Sequence, residues 1–319
     1  MKTEIGTDIE CAAELLRSGE PVAIPTETVY GLAANAFDEA AVLKIFQAKQ
    51  RPAFDPLIVH VHHPDQTEGL VREFPPGAQT LMQRFWPGPL TLVLPKTDRV
   101  PDLVTSGLDT IALRMPAHPL AQQLLQMLDL PLAAPSANPF GYVSPTTAAH
   151  VADQLAGKIP YILDGGACTV GVESTIIGWE PGPGQWVLYR PGGTPLEPIE
   201  AVIGRTAPAQ RQVLPVSPGM LASHYAPSKP VILGRPDELM ALHPGKRIGV
   251  ISFTETYAAA ACEVIAPSGD IAEAARNLFA ALRKLDHSGV ELIVAVVFPS
   301  EGLGAAINDR LRRAAAQRP

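Results

Sequence analysis

In the first two hundred residues, short apolar runs suited to strands trade places with segments of helical period, yet never in strict alternation. Runs at 21–25, 57–62, 91–94, 111–115, 132–134, 161–163, 174–179 and 186–189 are strand-like. Segments 8–17, 39–49, 78–86, 119–128 and 146–155 repeat their apolar residues at helical spacing. Gly19 suits a helix C-cap, and Pro87-Gly88-Pro89 stops the helix at 78–86. Such an order predicts an α/β fold built on a mixed, twisted sheet flanked by helices. Between 205 and 229 the pattern lapses into Pro208, Pro215, Pro218 and Pro227 with polar residues between them, an extended linker. From 230 to 319 a cleaner alternation returns. Strands at 231–233, 247–253, 263–265 and 292–298 surround helices at 237–242 and 271–285, and a basic helix closes the chain. The run 292–298 is apolar almost throughout, as in a strand covered on both faces, so this part predicts a small parallel sheet. The expected units are 1–204, a linker at 205–229, and 230–319.

Of the 319 residues 46% are hydrophobic and 18% charged, enough apolar material for sizeable cores. The 33 prolines are twice the usual share of about 5% and must sit in turns and loops. No stretch approaches the roughly 20 apolar residues of a membrane span. Glu4, Asp8, Glu10 and Glu14 argue against a signal peptide. Cys11, Cys168 and Cys262 are odd in number and far apart, which excludes a disulfide framework and fits a reducing compartment. A cytoplasmic protein with no membrane partner is expected. Residues 1–204 hold 12 Lys and Arg against 22 Asp and Glu, and residues 205–319 hold 13 against 10. An acidic first unit suits non-specific nucleic-acid binding poorly, because that binding depends on cations displacing counterions. Its few cations gain meaning from position.

No GxxxxGK[ST] loop, GxGxxG turn, GxSxG elbow or HExxH helix occurs. Four polar stretches stand out instead. Pro25-Thr26-Glu27-Thr28-Val29-Tyr30-Gly31-Leu32 follows a strand, where open α/β sheets bind ligands; it equally suits a hydroxyl-rich turn. Lys49-Gln50-Arg51-Pro52 ends a helix, either as plain dipole compensation or as a polyphosphate clamp, the arginine a planar fork and the lysine a point charge. Ala133-Ala134-Pro135-Ser136-Ala137-Asn138-Pro139 reads as an ST or Asx turn, or as a phosphate or ribose contact. Gly165-Gly166, then Gly171-Val172-Glu173-Ser174-Thr175, runs from a glycine-rich loop into a strand and could form an anion nest. Arg114 and Arg190, in or at the end of apolar strands, need an anionic partner, an internal acid or a ligand. His60, His62 and His63 put at most two ligands on one strand face, so His60 as a substrate contact outweighs a zinc site.

Together these stretches resemble the threonylcarbamoyl-adenylate synthases, in the long form that joins a YrdC-like catalytic domain to a Rossmann-like C-terminal domain. The resemblance is carried by PTETVYGL at 25–32, KQRP followed by PLIVHV at 49–61, the pairing of Lys49 and Arg51 with Ser136 and Asn138, VEST at 172–175, and SPGM and HYAP at 217–227. It implies the reaction of L-threonine, bicarbonate and ATP to threonylcarbamoyl-AMP and pyrophosphate, with Mg²⁺ on the phosphates. A separate transferase complex would then carry the product to tRNA. Lys49 and Arg51 would be catalytic. The threonine pocket would comprise Thr28, His60, Arg114, Ala134 and Ser174. The ATP side would comprise Lys49, Arg51, Asp55, Thr110, Ser136, Asn138, Ser144 and Arg190, with Tyr225 of the linker closing over it like a lid, the alternative being that the two linker motifs merely dock the units together. Asp55 stands where many members have Asn, and Leu221-Ala222-Ser223 replaces their basic and aromatic linker residues. An RNA-binding module without catalysis is the competing class: Arg310, Arg312, Arg313 and Arg318 could touch tRNA, but a solvated helix face is the expected role, with tRNA contacts weak or indirect. A carbamoyltransferase relative is disfavoured by the lack of cysteine-rich zinc modules.

Overall fold

The computed structural model describes residues 2–209, 219–221 and 223–316. Pro215, Ser217, Pro218, Ala222 and Arg318, named above, lie outside the described residues. The first part of the chain forms β1 (Glu4–Gly6), α1 (Ile9–Arg17), β2 (Val22–Ile24), β3 (Gly31–Asn35), α2 (Glu39–Lys49), β4 (Ile58–His60), α3 (Ala78–Phe85) and β5 (Leu90–Pro95). It continues with α4 (Asp102–Thr105), β6 (Thr110–Arg114), α5 (Pro119–Leu128), β7 (Leu132–Ala133), α6 (Ala148–Leu155), β8 (Tyr161–Leu163), β9 (Thr175–Glu180), β10 (Gln185–Arg190), α7 (Leu196–Ile203) and β11 (Ala207–Pro208). Among the described residues these strands make one mixed sheet of 11, in the order β1-β8-β2-β3-β7-β4-β6-β5-β9-β10-β11. The second part forms β12 (Val231–Leu233), α8 (Pro236–Leu242), β13 (Ile248–Ser252), β14 (Ala261–Val264), α9 (Ile271–Asp286), β15 (Leu292–Ala295) and α10 (Leu303–Ala315), with an all-parallel sheet of order β12-β15-β13-β14.

The large sheet is buried on both faces. Ala23 and Leu32 pack with Ile45 of α2 and Val151 of α6, whereas Val22, Ile24 and Ala33 pack with Leu16 of α1 and Leu124 of α5. That is the period-2 alternation of strands. Farther along, Val59, Leu92 and Leu113 join Leu81 of α3 and Ile199 of α7. Local chemistry sets the helix ends: Asp38 caps α2 by accepting from the Ala40 and Ala41 amides. Gln50, at φ 53°, then turns the chain left-handed and ends the helix, and Arg51 follows it to bond the Asp55 and Pro56 carbonyls.

Several elements differ from expectation. Strand β3 was hidden in small residues of the presumed loop. Helix α7 was masked by Pro195 and Pro198, yet it packs on the first sheet. The apolar run 292–298 stops as a strand at Ala295, and Val297 is 63% exposed. The third strand of the second part is Ala261–Val264 rather than 263–265.

The two parts share one interior. Val29, Val143 and Val172 of the first, and Tyr225 of the linker, lie in the same apolar cluster as Leu278, Phe279 and Ile307 of the second. Buried Arg283 of α9 donates to the carbonyls of Val143 (2.5 Å) and Ser144 (3.3 Å) and to Gln154 Oε1 (3.0 Å). Gly171 (φ 79°) lies so close to α9 that a Cβ there would stand 2.6 Å from the Arg276 carbonyl oxygen and 2.7 Å from that of Ala275. Arg310 of α10, expected on a solvated face, is instead fully buried and paired with Glu173 at 2.8 Å; its charge needs a counter-ion that solvent cannot provide there.

Candidate active site

One cavity opens where β2, β4, β6 and β10 end and β9 begins. Its first wall is the turn after β2. Thr26 Oγ1 accepts from the amides of Thr28 and Val29 and hydrogen-bonds Thr28 Oγ1 at 2.8 Å, which builds the turn and presents Thr28 to the cavity. Thus the hydroxyl-rich turn is also a wall of the cavity.

His60 and Arg114 are register partners at the ends of adjacent parallel strands, which brings them side by side on the cavity wall. Burial, reinforced by the Arg114 charge, lowers His60 to about 3, so its imidazole is neutral and offers a hydrogen bond rather than a charge. Arg114 has an internal acid: its Nη2 donates to Glu27 Oε1 at 2.6 Å, while Glu27 Oε2 accepts from the Ala117 amide. Opposite, Ser174 shares a 2.7 Å hydrogen bond with Thr91 and accepts from Arg190 at its carbonyl (2.9 Å). Ala134, Pro135 and Ser136 close the wall as the chain leaves β7.

Arg51 enters from below, held by the carbonyls of Asp55 (3.1 Å) and Pro56 (2.8 Å), with Asp55 Oδ2 2.8 Å from its Nη2 as an ion pair lacking hydrogen-bond alignment. Burial raises the Asp55 carboxyl, opposed by Arg51 and Lys49. The last wall comes from the linker: Gly219, His224 and Tyr225. Burial, with four surrounding cations (Arg51, Lys49, Arg190 and Arg310), drives His224 well below its ordinary value.

The cavity therefore gathers Thr28, Arg51, His60, Arg114, Ala134, Ser136, Ser174, Arg190 and Tyr225. The other candidates stand behind it. Lys49 Nζ donates to the carbonyls of Ser136 and Asn138, both at 2.5 Å, and so shapes the loop whose Ser136 lines the wall. Its burial, together with Arg51, lowers its ammonium well below the usual range. Asn138 braces the same loop through the Pro139 and Tyr142 carbonyls. Ser144 donates to Glu173 Oε1 at 2.5 Å. Asp55 supports Arg51. Thr110 pairs with Pro95 at the opposite end of β6, four residues and about 13 Å along the strand from Arg114. His62 turns away to Asp129, and His63 caps the short helical turn Pro64–Thr67. Among the described residues no three His, Cys, Asp or Glu side chains cluster as metal ligands would.

Two titratable lining residues were missed as candidates, Glu173 and His224, although both sit inside the motifs at 172–175 and 224–227. An acid between Val172 and Ser174 at the start of a buried strand was the available signal. Burial raises the Glu173 carboxyl, but Arg310 and Arg190 outweigh this and hold it below the ordinary carboxylate range.

Relatives place this arrangement. A family model described as "Telomere recombination" matches residues 14–192, and one described as "Threonylcarbamoyl-AMP synthase, C-terminal domain" matches 194–316. The threonylcarbamoyl-AMP synthase of Pyrococcus abyssi is 49% identical over 97% of this chain and 94% of its own. That of Bacillus subtilis is 46% identical over 96% and 92%. The crystal structure of P. abyssi Sua5 complexed with L-threonine shares the fold at a TM-score of 0.91 and 46% identity, covering 98% of this chain and 97% of that one. With both halves matched and whole-length relatives near half identical, the chain belongs to the threonylcarbamoyl-AMP synthase family.

Proposed function

We infer that the chain is a threonylcarbamoyl-AMP synthase that joins L-threonine, bicarbonate and ATP into threonylcarbamoyl-AMP with release of pyrophosphate. The observation that carries this is identity near one half, along the whole chain, to enzymes of that name. The cavity supports it, since four buried arginines stand on or behind its walls and suit a carboxylate beside a polyphosphate. Threonine's amine attacks bicarbonate and water leaves, giving a carbamate. A carbamate oxygen then attacks the α-phosphorus of ATP, and the bond to pyrophosphate breaks. No protein nucleophile is needed; the chain's task is alignment and neutralisation of charge.

In this reading Arg114 takes the threonine carboxylate in exchange for Glu27, and Thr28, neutral His60, Ser174 and the backbone at Ala134 complete the amino-acid side. Arg51, Ser136, Arg190 and Tyr225 face the nucleotide, with Lys49, Asp55, Asn138 and Ser144 fixing them from behind. Mg²⁺ would arrive on the nucleotide's phosphates: Glu173, the carboxylate on the cavity wall, has its two oxygens engaged by Ser144 and Arg310. The product would pass to a separate transferase complex acting on tRNA, and the acidic balance of residues 1–204 makes direct tRNA contact weak. No helix among the described residues is long and apolar enough to cross a membrane, and the three thiols are unpaired, which suits a cytoplasmic enzyme. The test is incubation of the purified protein with all three substrates. Pyrophosphate and the adenylate should form, and each omission should abolish both; pyrophosphate release without threonine would defeat the assignment.

A further inference from the structure

Tyr225 is held in an unfavourable conformation. Its φ of 60° places a bulky side chain in the left-handed region, which persists only where the surroundings enforce it. The enforcement comes from the C-terminal unit. The Arg310 guanidinium lies 5.1 Å over one side of the Tyr225 ring, and Phe279 of α9 packs 5.7 Å from it. Arg310 is wholly buried, and its Nε donates to Glu173 Oε2 at 2.8 Å; Nη1 bonds the Pro191 carbonyl and Asp309, each at 2.8 Å.

Arg310 differs from Arg283, the other buried arginine crossing between the units. Arg283 bonds backbone carbonyls and an amide oxygen, as a docking residue would. Arg310 faces a carboxylate and an aromatic ring that both line the cavity, and its Nη2 is a buried donor with no acceptor among the described residues. The Tyr225 hydroxyl is likewise buried without a partner among the described residues. The Tyr225 hydroxyl, on the cavity wall with arginines 51 and 190, calls for an acceptor rich in oxygen, and a nucleotide's phosphates are such an acceptor.

We propose that Arg310 is a positioning residue of the nucleotide pocket, supplied by the C-terminal unit: it props the strained Tyr225 ring and anchors Glu173, so that the Tyr225 hydroxyl meets the ATP phosphates. This rests on the cavity being the synthase's nucleotide site. The C-terminal unit is then a structural part of the adenylation centre rather than an appended module.

The test is a double-mutant cycle on the full chain, read as calorimetric ATP and threonine dissociation constants, which need no turnover. Arg310→Met and Tyr225→Ala should each weaken ATP about tenfold, and the double variant should also lose about tenfold rather than a hundredfold, because both act through one contact. Threonine affinity should stay within twofold of wild type throughout. Unchanged ATP affinity in Arg310→Met, multiplicative losses in the double variant, or a parallel loss of threonine binding would each overturn the proposal. Should Arg310→Met not fold, Arg310→Lys, which keeps the charge opposite Glu173 but loses the planar stack, replaces it in the same cycle. Absence of adenylate from wild-type protein that still binds ATP would count against the proposed reaction and leave the cycle readable.

Discussion

Replacing Gly171 by alanine should loosen the union of the two units. The new Cβ would meet the carbonyl oxygens of Arg276 and Ala275 at 2.6 and 2.7 Å, and these are backbone atoms of α9 that no rotamer change can withdraw. The nearest atom, the Arg276 Cα, would stand at 2.3 Å, so relief requires α9 to retreat by about 1.1 Å or more to reach ordinary van der Waals distance. Arg283 lies two turns farther along the same face, and such a retreat would take its bonds at 3.0 Å to Gln154 and 3.3 Å to Ser144 beyond hydrogen-bond range. Each is a charge-assisted bond worth about 1.5–3 kcal/mol, though partial relaxation recovers some of it. Forcing a Cβ-bearing residue to φ 79° adds about 1–2 kcal/mol. A total of about 3–5 kcal/mol, at roughly 2 °C per kcal/mol for a chain this long, lowers the melting midpoint by about 6–10 °C. Scanning calorimetry would measure it, with Gly182→Ala as control, since nothing lies within 4 Å of a Cβ at Gly182. A Gly171→Ala midpoint within about 2 °C of wild type would refute the view that this close approach holds the units together.

Arg51→Ala should lower adenylate formation by about 10²–10³ while leaving the fold intact, as expected for a charge-assisted contact that strengthens in the transition state; near-normal turnover of purified variant would dismiss its role. Threonine should be preferred over serine only modestly, because one methyl is worth about 1–3 kcal/mol in a pocket; a kcat/KM ratio beyond about a thousand would mean a different recognition. Stability should fall as pH drops from 6.5 towards 4. His60 and His224 are depressed in the folded state, to about 3 and well below 6.5, so the unfolded chain takes up protons that the native one refuses. Each adds about 1.4 kcal/mol per pH unit to the loss across that window. Asp55, whose carboxyl is raised, opposes this with at most one proton. Urea midpoints that stay flat between pH 7 and 5 would contradict the burial of these imidazoles.

Much of the fold was legible because its signals are local. Helix α2 runs Glu39–Lys49 and α5 runs Pro119–Leu128, as apolar spacing and the flanking Asp38 and Pro119 indicate. The strands carrying His60 and Arg114 were likewise visible as apolar runs. Strand β3 was not, since Gly31-Leu32-Ala33-Ala34-Asn35 lacks β-branched residues and earns its place only through pairing with β2 and β7. At the site, motif residues were found where the backbone turn is written in neighbouring residues, as at Thr26–Thr28. The pairings were out of reach. Glu27 meets Arg114 across 87 positions and Glu173 meets Arg310 across 137, and a charge in a sequence does not disclose which distant charge it will face. Lys49 illustrates the same limit: as a cation at a helix end it reads as a phosphate ligand, and nothing local discloses that the fold engages two of its three donors with the Ser136 and Asn138 carbonyls.

The 137-residue separation of Glu173 and Arg310 also has a meaning in time. A ribosome adding about 5–20 residues each second takes on the order of ten seconds to travel between them. Throughout that interval the emerging sheet already holds a carboxylate destined for burial, with Val29, Val143 and Val172 bare beside it. Burying an unpaired carboxylate is unfavourable, so the nascent cavity wall stays hydrated and unfinished until α10 has cleared the exit tunnel and folded back. Synthesis order thus delays maturation of the half that supplies most of the cavity wall, and pauses in translation after Glu173 would lengthen the period in which a holdase chaperone can engage it.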